Sequence, residues 1–230
     1  MNGISIITCT NRAAYINNLF RNYDRQKWRK KELIIILNND NMNIEEYKET
    51  ASRYKNTFVY RLPEKTSLGK CLNFGVKNAR HRFVAKFDDD DYYAPSYLKE
   101  TMKTFRKTKA DIVGKRAHFL WLSGNKVLIL RHKGSENKFV KIVPGATLVI
   151  KKSVFKRVRF PNINKGEDDI FCRRCRAKGF KIYSGGKYNF AALRRKNSRG
   201  HTWIISEKKL LRGRAEIFRK VKNYKKFVSR

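Results

Sequence analysis

Apolar residues arrive in two rhythms along the first half of the chain. Short unbroken runs at 3–9 (Gly-Ile-Ser-Ile-Ile-Thr-Cys), 32–37 (Glu-Leu-Ile-Ile-Ile-Leu), 57–61 and 82–87 read as buried strands. Between them the spacing turns helical. Residues 11–25 place Ala14, Ile16, Leu19, Phe20 and Tyr23 on one face, 43–54 form a second helix, and 66–79 carry Leu68, Leu72, Val76 and Ala79 in register behind an N-cap at Thr66 or Ser67. A fourth helix opens with Pro95 in its first turn and runs to about Lys107. Four strand–helix pairs in succession predict a parallel sheet with helices on both faces. Ligands of such sheets gather beyond the carboxyl ends of the strands. Three polar clusters fall there: Thr8-Cys9-Thr10-Asn11-Arg12, Asn38-Asn39-Asp40, and Asp88-Asp89-Asp90-Asp91.

The pattern changes after residue 107. Apolar runs at 111–113, 116–122, 126–131, 139–142 and 147–150, separated by turns such as Ser123-Gly124-Asn125, predict a largely antiparallel portion that completes the sheet. A short helix is expected at 152–158, a longer one at 167–178 and a strand at 180–184. The tail has apolar residues at 203/204, 210/211, 217/218, 221, 224 and 227/228 among ten Lys/Arg and two Glu over 207–230, which reads as one basic amphipathic helix. The expected organisation is one α/β domain over 1–202, with halves 1–107 and 108–202, and a C-terminal helix over 203–230.

Composition narrows the class. A hydrophobic fraction of 41%, with 15 Phe and 11 Tyr in 230 residues, is too rich for a disordered chain. The longest aliphatic run is Leu33 to Leu37, too short for a membrane span, and no basic-then-apolar leader precedes the first strand. A cytoplasmic protein is expected. Cys9, Cys71, Cys172 and Cys175 are too few and scattered for a disulfide framework, and Cys172-x-x-Cys175 lacks a second pair to make a zinc site, so small buried side chains are expected there.

Lys and Arg number 55 against 19 Asp and Glu, a formal charge of +36. Such a chain needs a polyanionic neighbour: nucleic acid, an anionic membrane, an anionic polymer or a phosphate-bearing small molecule. Charge alone does not choose among them. The acids narrow the choice, because four form the run Asp88 to Asp91 and three more form Glu167-Asp168-Asp169. Adjacent carboxylates repel and require a cation or many donors. A divalent metal with oxygen ligands answers that need.

Taken in order, SIITCTNR, LNND, SLGKCLNFGVKNA and FVAKFDDDDYYAPSYL, followed by PGATLVIKKSVF and GEDDIFCRRCRAKGFKIY, resemble the family 2, inverting glycosyltransferases of the GT-A fold. The resemblance covers roughly residues 2–193. It implies a Rossmann-like three-layer sandwich with a mixed, mainly parallel sheet. It also implies transfer of a sugar from a nucleoside diphosphate, UDP by expectation, to an acceptor hydroxyl.

The resemblance assigns roles residue by residue. The D-x-D motif maps onto Asp88 and Asp90, with Asp90 coordinating Mn2+ or Mg2+ and Asp88 facing the ribose and the metal. Such an ion neutralises the departing diphosphate. Asp89 belongs to the same nucleotide-facing loop, although alternation along an extended stretch turns it away from its neighbours. Thr8, Thr10, Asn11 and Arg12 hold base and ribose, and Asp40 accepts a hydrogen bond from the base. Gly69 and Asn73 match positions near the nucleotide, the glycine allowing close approach. The E-D motif places the general base at Asp168, with Asp169 as alternate. His201 corresponds to an additional metal ligand of some relatives, and Arg194 and Arg195 bind the diphosphate or an anionic acceptor.

A competing reading is a polyanion-binding module for nucleic acid, supported by the charge and by Phe218, Tyr224 and Phe227 among Lys/Arg. No nucleic-acid-binding signature accompanies it, and the acidic clusters oppose it. A nucleotidyltransferase would want a glycine-rich loop where Thr-Cys-Thr-Asn-Arg stands, and a P-loop motif is absent. The excess charge leads us to expect an anionic glycan or polymer acceptor, contact of the tail with an anionic membrane at its inner face, or a homodimer packed through the tail's apolar stripe.

Overall fold

The structure, a computed structural model, describes residues 2–196, 205–206, 210–211 and 215–230. In chain order the first half contains β1 (Ile4–Thr10), α1 (Ile16–Asp24), β2 (Lys31–Leu37), α2 (Ile44–Ser52), β3 (Thr57–Arg61), α3 (Leu68–Asn78), β4 (Phe83–Lys86), β5 (Tyr92–Tyr93) and α4 (Tyr97–Thr108). The second half contains β6 (Ile112–Gly114), β7 (His118–Leu122), β8 (Val127–Arg131), β9 (Lys138–Phe139), β10 (Val149–Lys151), α5 (Glu167–Ala177), β11 (Ile182–Ser184), β12 (Phe190–Arg194), β13 (Ala215–Phe218) and α6 (Tyr224–Val228). Short 3-10 turns stand at Ala13–Tyr15, Gly145–Thr147 and Lys152–Lys156.

Eight strands form the main sheet in the order β3-β2-β1-β4-β10-β6-β11-β9. Strands β3, β2, β1 and β4 run parallel, as the strand–helix alternation predicts. Antiparallel β10 is wedged between β4 and β6. The unbroken apolar runs are explained by burial on both faces. Ile4, Ile6, Leu33 and Ile35 pack toward α1, α2 and α4. Ile7, Ile34 and Ile36 pack toward α3 and α5 on the opposite face, where Cys71, Cys172 and Cys175 are buried. Three layers result. Ser67 is the N-cap of α3, its hydroxyl accepting from the Lys70 amide at 3.2 Å.

Two expectations need correction. The apolar runs after residue 107 do not all complete the main sheet: β7 and β8 form a hairpin in a separate five-stranded sheet, ordered β13-β8-β7-β12-β5. The tail is not one helix either. Residues 215–218 are an antiparallel strand on β8, followed by a separate short helix at Tyr224–Val228. The cause is that β8 has an open edge of backbone donors and acceptors beside an apolar face. Pairing there puts Ala215 and Ile217 on one side and Phe218 on the other, which a helix could not do. Phe218, Val221, Tyr224 and Phe227 pack on Phe119, Leu128 and Leu130 of this second sheet. Among the described residues, the part of the stripe from 210 to 228 packs within the chain. No helix among the described residues is long and apolar enough to cross a membrane.

Candidate active site

The site is built where β1 and β4 end side by side. Each of the four aspartates after β4 is partnered, two of them by the same arginine. Asp89 turns inward, 2% exposed, where its carboxylate pairs with the Arg12 guanidinium and accepts from the Thr10 hydroxyl at 2.6 Å. Asp90 meets Arg12 at 2.9 Å and Arg195 at 3.6 Å. Asp91 is buried and accepts from the Leu193 amide at 2.9 Å. Asp88 pairs with Lys86, a lysine buried within the sheet. From one face of α1, Asn18 donates to the carbonyls of Asp89 and Asp91 at 2.7 and 3.0 Å, and Asn22 to that of Asp91 at 2.8 Å. The cations and donors that such a run demands are supplied by the protein itself.

Electrostatics follow from this packing. Burial pushes the Asp89 carboxyl up to about 6 against the pull of Arg12, and it raises Asp90 and Asp91 as well. Burial works against the charge on Lys86, but Asp88, then Glu167, more than offset it and the lysine is held protonated. Glu167 is pushed up to about 7 by burial despite Lys86.

The second acidic cluster starts α5. Asp168 accepts from the Gly145 amide at 2.6 Å, and a side chain at Gly145 would meet that carboxylate at 2.9 Å. Asp169 is exposed, raised by burial and by Asp168, and held down by Arg116 and Arg173. Lys86 lies within the fields of Asp88, Glu167 and Asp168 together, so the two acidic motifs share one buried cation. A second link is the Tyr93 hydroxyl, which accepts from the Asp88 amide at 2.8 Å and donates to the Ala146 carbonyl at 2.7 Å, beside Gly145.

The other expected residues fall in two groups. Thr8 is buried in β1, Asn11 is exposed with its carbonyl 3.4 Å from the Asn39 amide nitrogen, and Arg12 lies over the Tyr15 ring at 4.6 Å. Arg194 is buried at the end of β12, its charge disfavoured by burial and favoured by Asp90. Arg195 also reaches the Tyr15 ring, at 5.1 Å. Of these residues, Arg12, Arg194 and Arg195 converge on the acid run.

Others serve the protein backbone. Asp40 accepts from the Glu64 amide at 3.1 Å. Asn73 exchanges hydrogen bonds with Phe160, donating at 2.9 Å and accepting at 3.1 Å. Gly69 faces Pro161, whose carbonyl oxygen would lie 1.7 Å from an added Cβ. Gly69 and Asn73 thus clamp the segment that leads to α5. Both polar atoms of the Asn73 carboxamide are engaged by that segment. His201 lies outside the described residues.

Sequence reading passed over Lys86, Tyr93, Gly145, Asn18 and Asn22. Lys86 had a signal, a charged residue inside the apolar strand FVAKF. Asn18 and Asn22 had another, two amides one helical turn apart.

Among the described residues, no three His, Cys, Asp or Glu side chains converge as a metal site. Asp88 and Asp90 nevertheless offer the oxygen chemistry that a hard divalent cation takes when the rest of its shell comes from phosphates and water.

The model of Glycosyl transferase family 2 matches residues 5–177. Among solved structures, S. aureus TarS 1-349 in complex with UDP-GlcNAc superposes with a TM-score of 0.68 at 18% identity, over 88% of this chain and 62% of that one. The mannosyltransferase PcManGT from Pyrobaculum calidifontis, in complex with GDP-Man and Mn2+, gives 0.66 at 15% identity, over 86% and 58%. The chain spans about 60% of the length of these proteins. At such identities the likeness is one of fold. No curated protein matches the chain.

Proposed function

The chain belongs to glycosyl transferase family 2, and from that premise we propose that it moves a sugar from a nucleoside-diphosphate sugar to an acceptor hydroxyl, with inversion at the anomeric carbon. The observation that carries this reading is the meeting of two acidic motifs from opposite halves of the chain around Lys86. One motif suits a diphosphate and its counter-ion, the other a proton acceptor. UDP is the proposed nucleotide, in keeping with the UDP-GlcNAc bound by TarS.

Asp88 and Asp90 would hold a divalent cation, which supplies charge neutralisation for the departing diphosphate. Arg12, Arg194 and Arg195 surround Asp90 and add positive charge on the same side. The Asp89 carboxylate fixes the Arg12 guanidinium, so that this charge is placed before substrate arrives. Asp168 takes the acceptor proton. Its Oδ2 is held by the Gly145 amide, which leaves Oδ1 as the oxygen to take that proton. Attack on the anomeric carbon then breaks the bond to the diphosphate oxygen, and the electron pair leaves with the nucleoside diphosphate.

The test is a thermal-shift panel of UDP, GDP, CDP and dTDP with Mn2+, run on the parent, Asp90→Asn and Asp168→Asn. We expect the parent to be stabilised most by UDP with the metal, Asp90→Asn to lose the metal-dependent part, and Asp168→Asn to keep it while losing transfer. A ligand-free protein that grips DNA tightly at physiological salt and ignores all four nucleotides would replace this reading with the polyanion-binding module.

A further inference from the structure

A groove of about 530 Å³ opens beside α5, lined by Arg116, Ser135, Phe139, Val140, Lys141 and Ile142. Three observations single it out. Phe139 is 53% exposed, the one large apolar side chain so exposed among the described residues, and its ring stands edge-on to Tyr183 at 5.1 Å. Its companions are cationic: neither Arg116 nor Lys141 makes a side-chain hydrogen bond or ion pair among the described residues. Behind them stand Arg131, His118 and His132, with His118 paired to Arg131 across the β7–β8 hairpin. Finally, the groove adjoins α5: its Val140 and Ile142 pack on the cluster that holds Phe171, Cys172 and Cys175 of that helix, and Arg116 acts on the charge of Asp169.

An exposed aromatic ring next to guanidinium and ammonium groups suits one chemistry. The apolar face of a sugar ring stacks on the aromatic ring, and a planar guanidinium takes an oxyanion in two parallel hydrogen bonds. We propose that this groove is the acceptor subsite and that it selects a sugar carrying an oxyanion, with the ring on Phe139 and the phosphate or carboxylate on Arg116 and Lys141. The assignment rests on the glycosyl-transfer reading above, because it places the acceptor beside Asp168 and Asp169. It deepens that reading by naming the acceptor's chemistry. The two histidines behind the groove support it. Burial holds His118 down to about 3 and His132 down to about 4, so neither adds charge near neutral pH, and recognition falls to Arg116 and Lys141.

The experiment is calorimetric titration of the full chain at low salt with glucose, glucose 6-phosphate and glucuronate, alongside the UDP–Mn2+ thermal shift. One or both of the charged sugars is expected to bind about tenfold tighter than glucose. The sugar that does so identifies the oxyanion. Arg116→Gln should abolish the preference and Arg116→Lys should keep part of it, since a point charge replaces a fork. Phe139→Ala should weaken all the sugars that bind. Lys141→Gln, a change at an exposed side chain, repeats the charge test should Arg116→Gln fold poorly. Equal binding of the three sugars, or a preference that survives both charge removals, overturns the proposal. A missing UDP–Mn2+ shift in the parent overturns the donor reading instead, and the two failures are read from separate titrations.

Discussion

Gly69 carries a residue-scale consequence that can be measured. Its amide donates to the Ile163 carbonyl at 3.1 Å, and the Pro161 carbonyl occupies the space where a side chain would begin. Gly69→Ala therefore forces the 160–164 segment away from α3. We expect a loss of about 2 to 3 kcal/mol in urea unfolding, the range of an overpacked core, with a fall in transfer because the same segment leads into α5. The family resemblance marks Gly69 as a glycine that lets a nucleotide come close; the protein backbone against it is a separate matter. That contact was not legible in the sequence, because proximity of residues 69 and 161 is a property of the assembled layers. The same limit applies to Asp89. Alternation turned it away from its neighbours, but only the fold shows that it turns toward Arg12, 77 residues distant.

At the scale of elements, β13 and α6 brace the loop that follows the acid run. Tyr224 stacks on Trp121 at 4.9 Å and meets Tyr92 edge-on at 6.0 Å, and Tyr92 directly follows Asp91. The Tyr92 and Ser229 hydroxyls lie 3.1 Å apart, and the Asn189 amide donates to the Val228 carbonyl at 2.7 Å. Tyr224→Ala should cost about 2 kcal/mol, less than a fully buried aromatic because the ring is half-buried. Tyr224→Phe should cost far less, and urea unfolding of the pair compares them. The four strand–helix pairs of the first half were legible because a strand buried on both faces leaves an unbroken apolar run. The tail was not. Ile217 and Phe218 are adjacent, and an adjacent apolar pair satisfies a helical stripe and a strand packed on two sides equally well.

For the whole molecule, buried titratable groups set how stability follows pH. His118 has a folded pKa of about 3 against an ordinary 6.5. Below the ordinary value the unfolded chain takes a proton that the folded chain refuses, so this group's contribution is full above about pH 6.5 and is lost as pH falls toward about 3. Asp89 and Glu167 act in the opposite sense. Their folded values are raised, to about 6 and about 7, so they favour folding at low pH and lose that contribution as pH rises through those values. Replacing His118 with Gln removes the acid-side loss alone. Relative to its own stability near neutral pH, the variant should gain about 2 kcal/mol over the parent at about pH 5, measured by urea unfolding at both pH values. The charge of +36 was plain from composition. Its distribution was not, because composition cannot show that Arg12, Lys86 and Arg195 are turned inward onto acids while Arg116 and Lys141 face a groove.

The phenol oxygen of Tyr93 ties the loop beginning at Asp88 to the turn at Gly145 and Ala146. The two acidic motifs therefore share a common hinge pin. A disturbance that reaches one is transmitted to the other, so under the proposed transfer leaving-group and nucleophile geometry would hold or drift as a unit. Neither Phe139 nor Lys141 is a hydrogen-bond partner of that phenol, so with the proposed groove the choice of recipient could change while the reaction's alignment is kept.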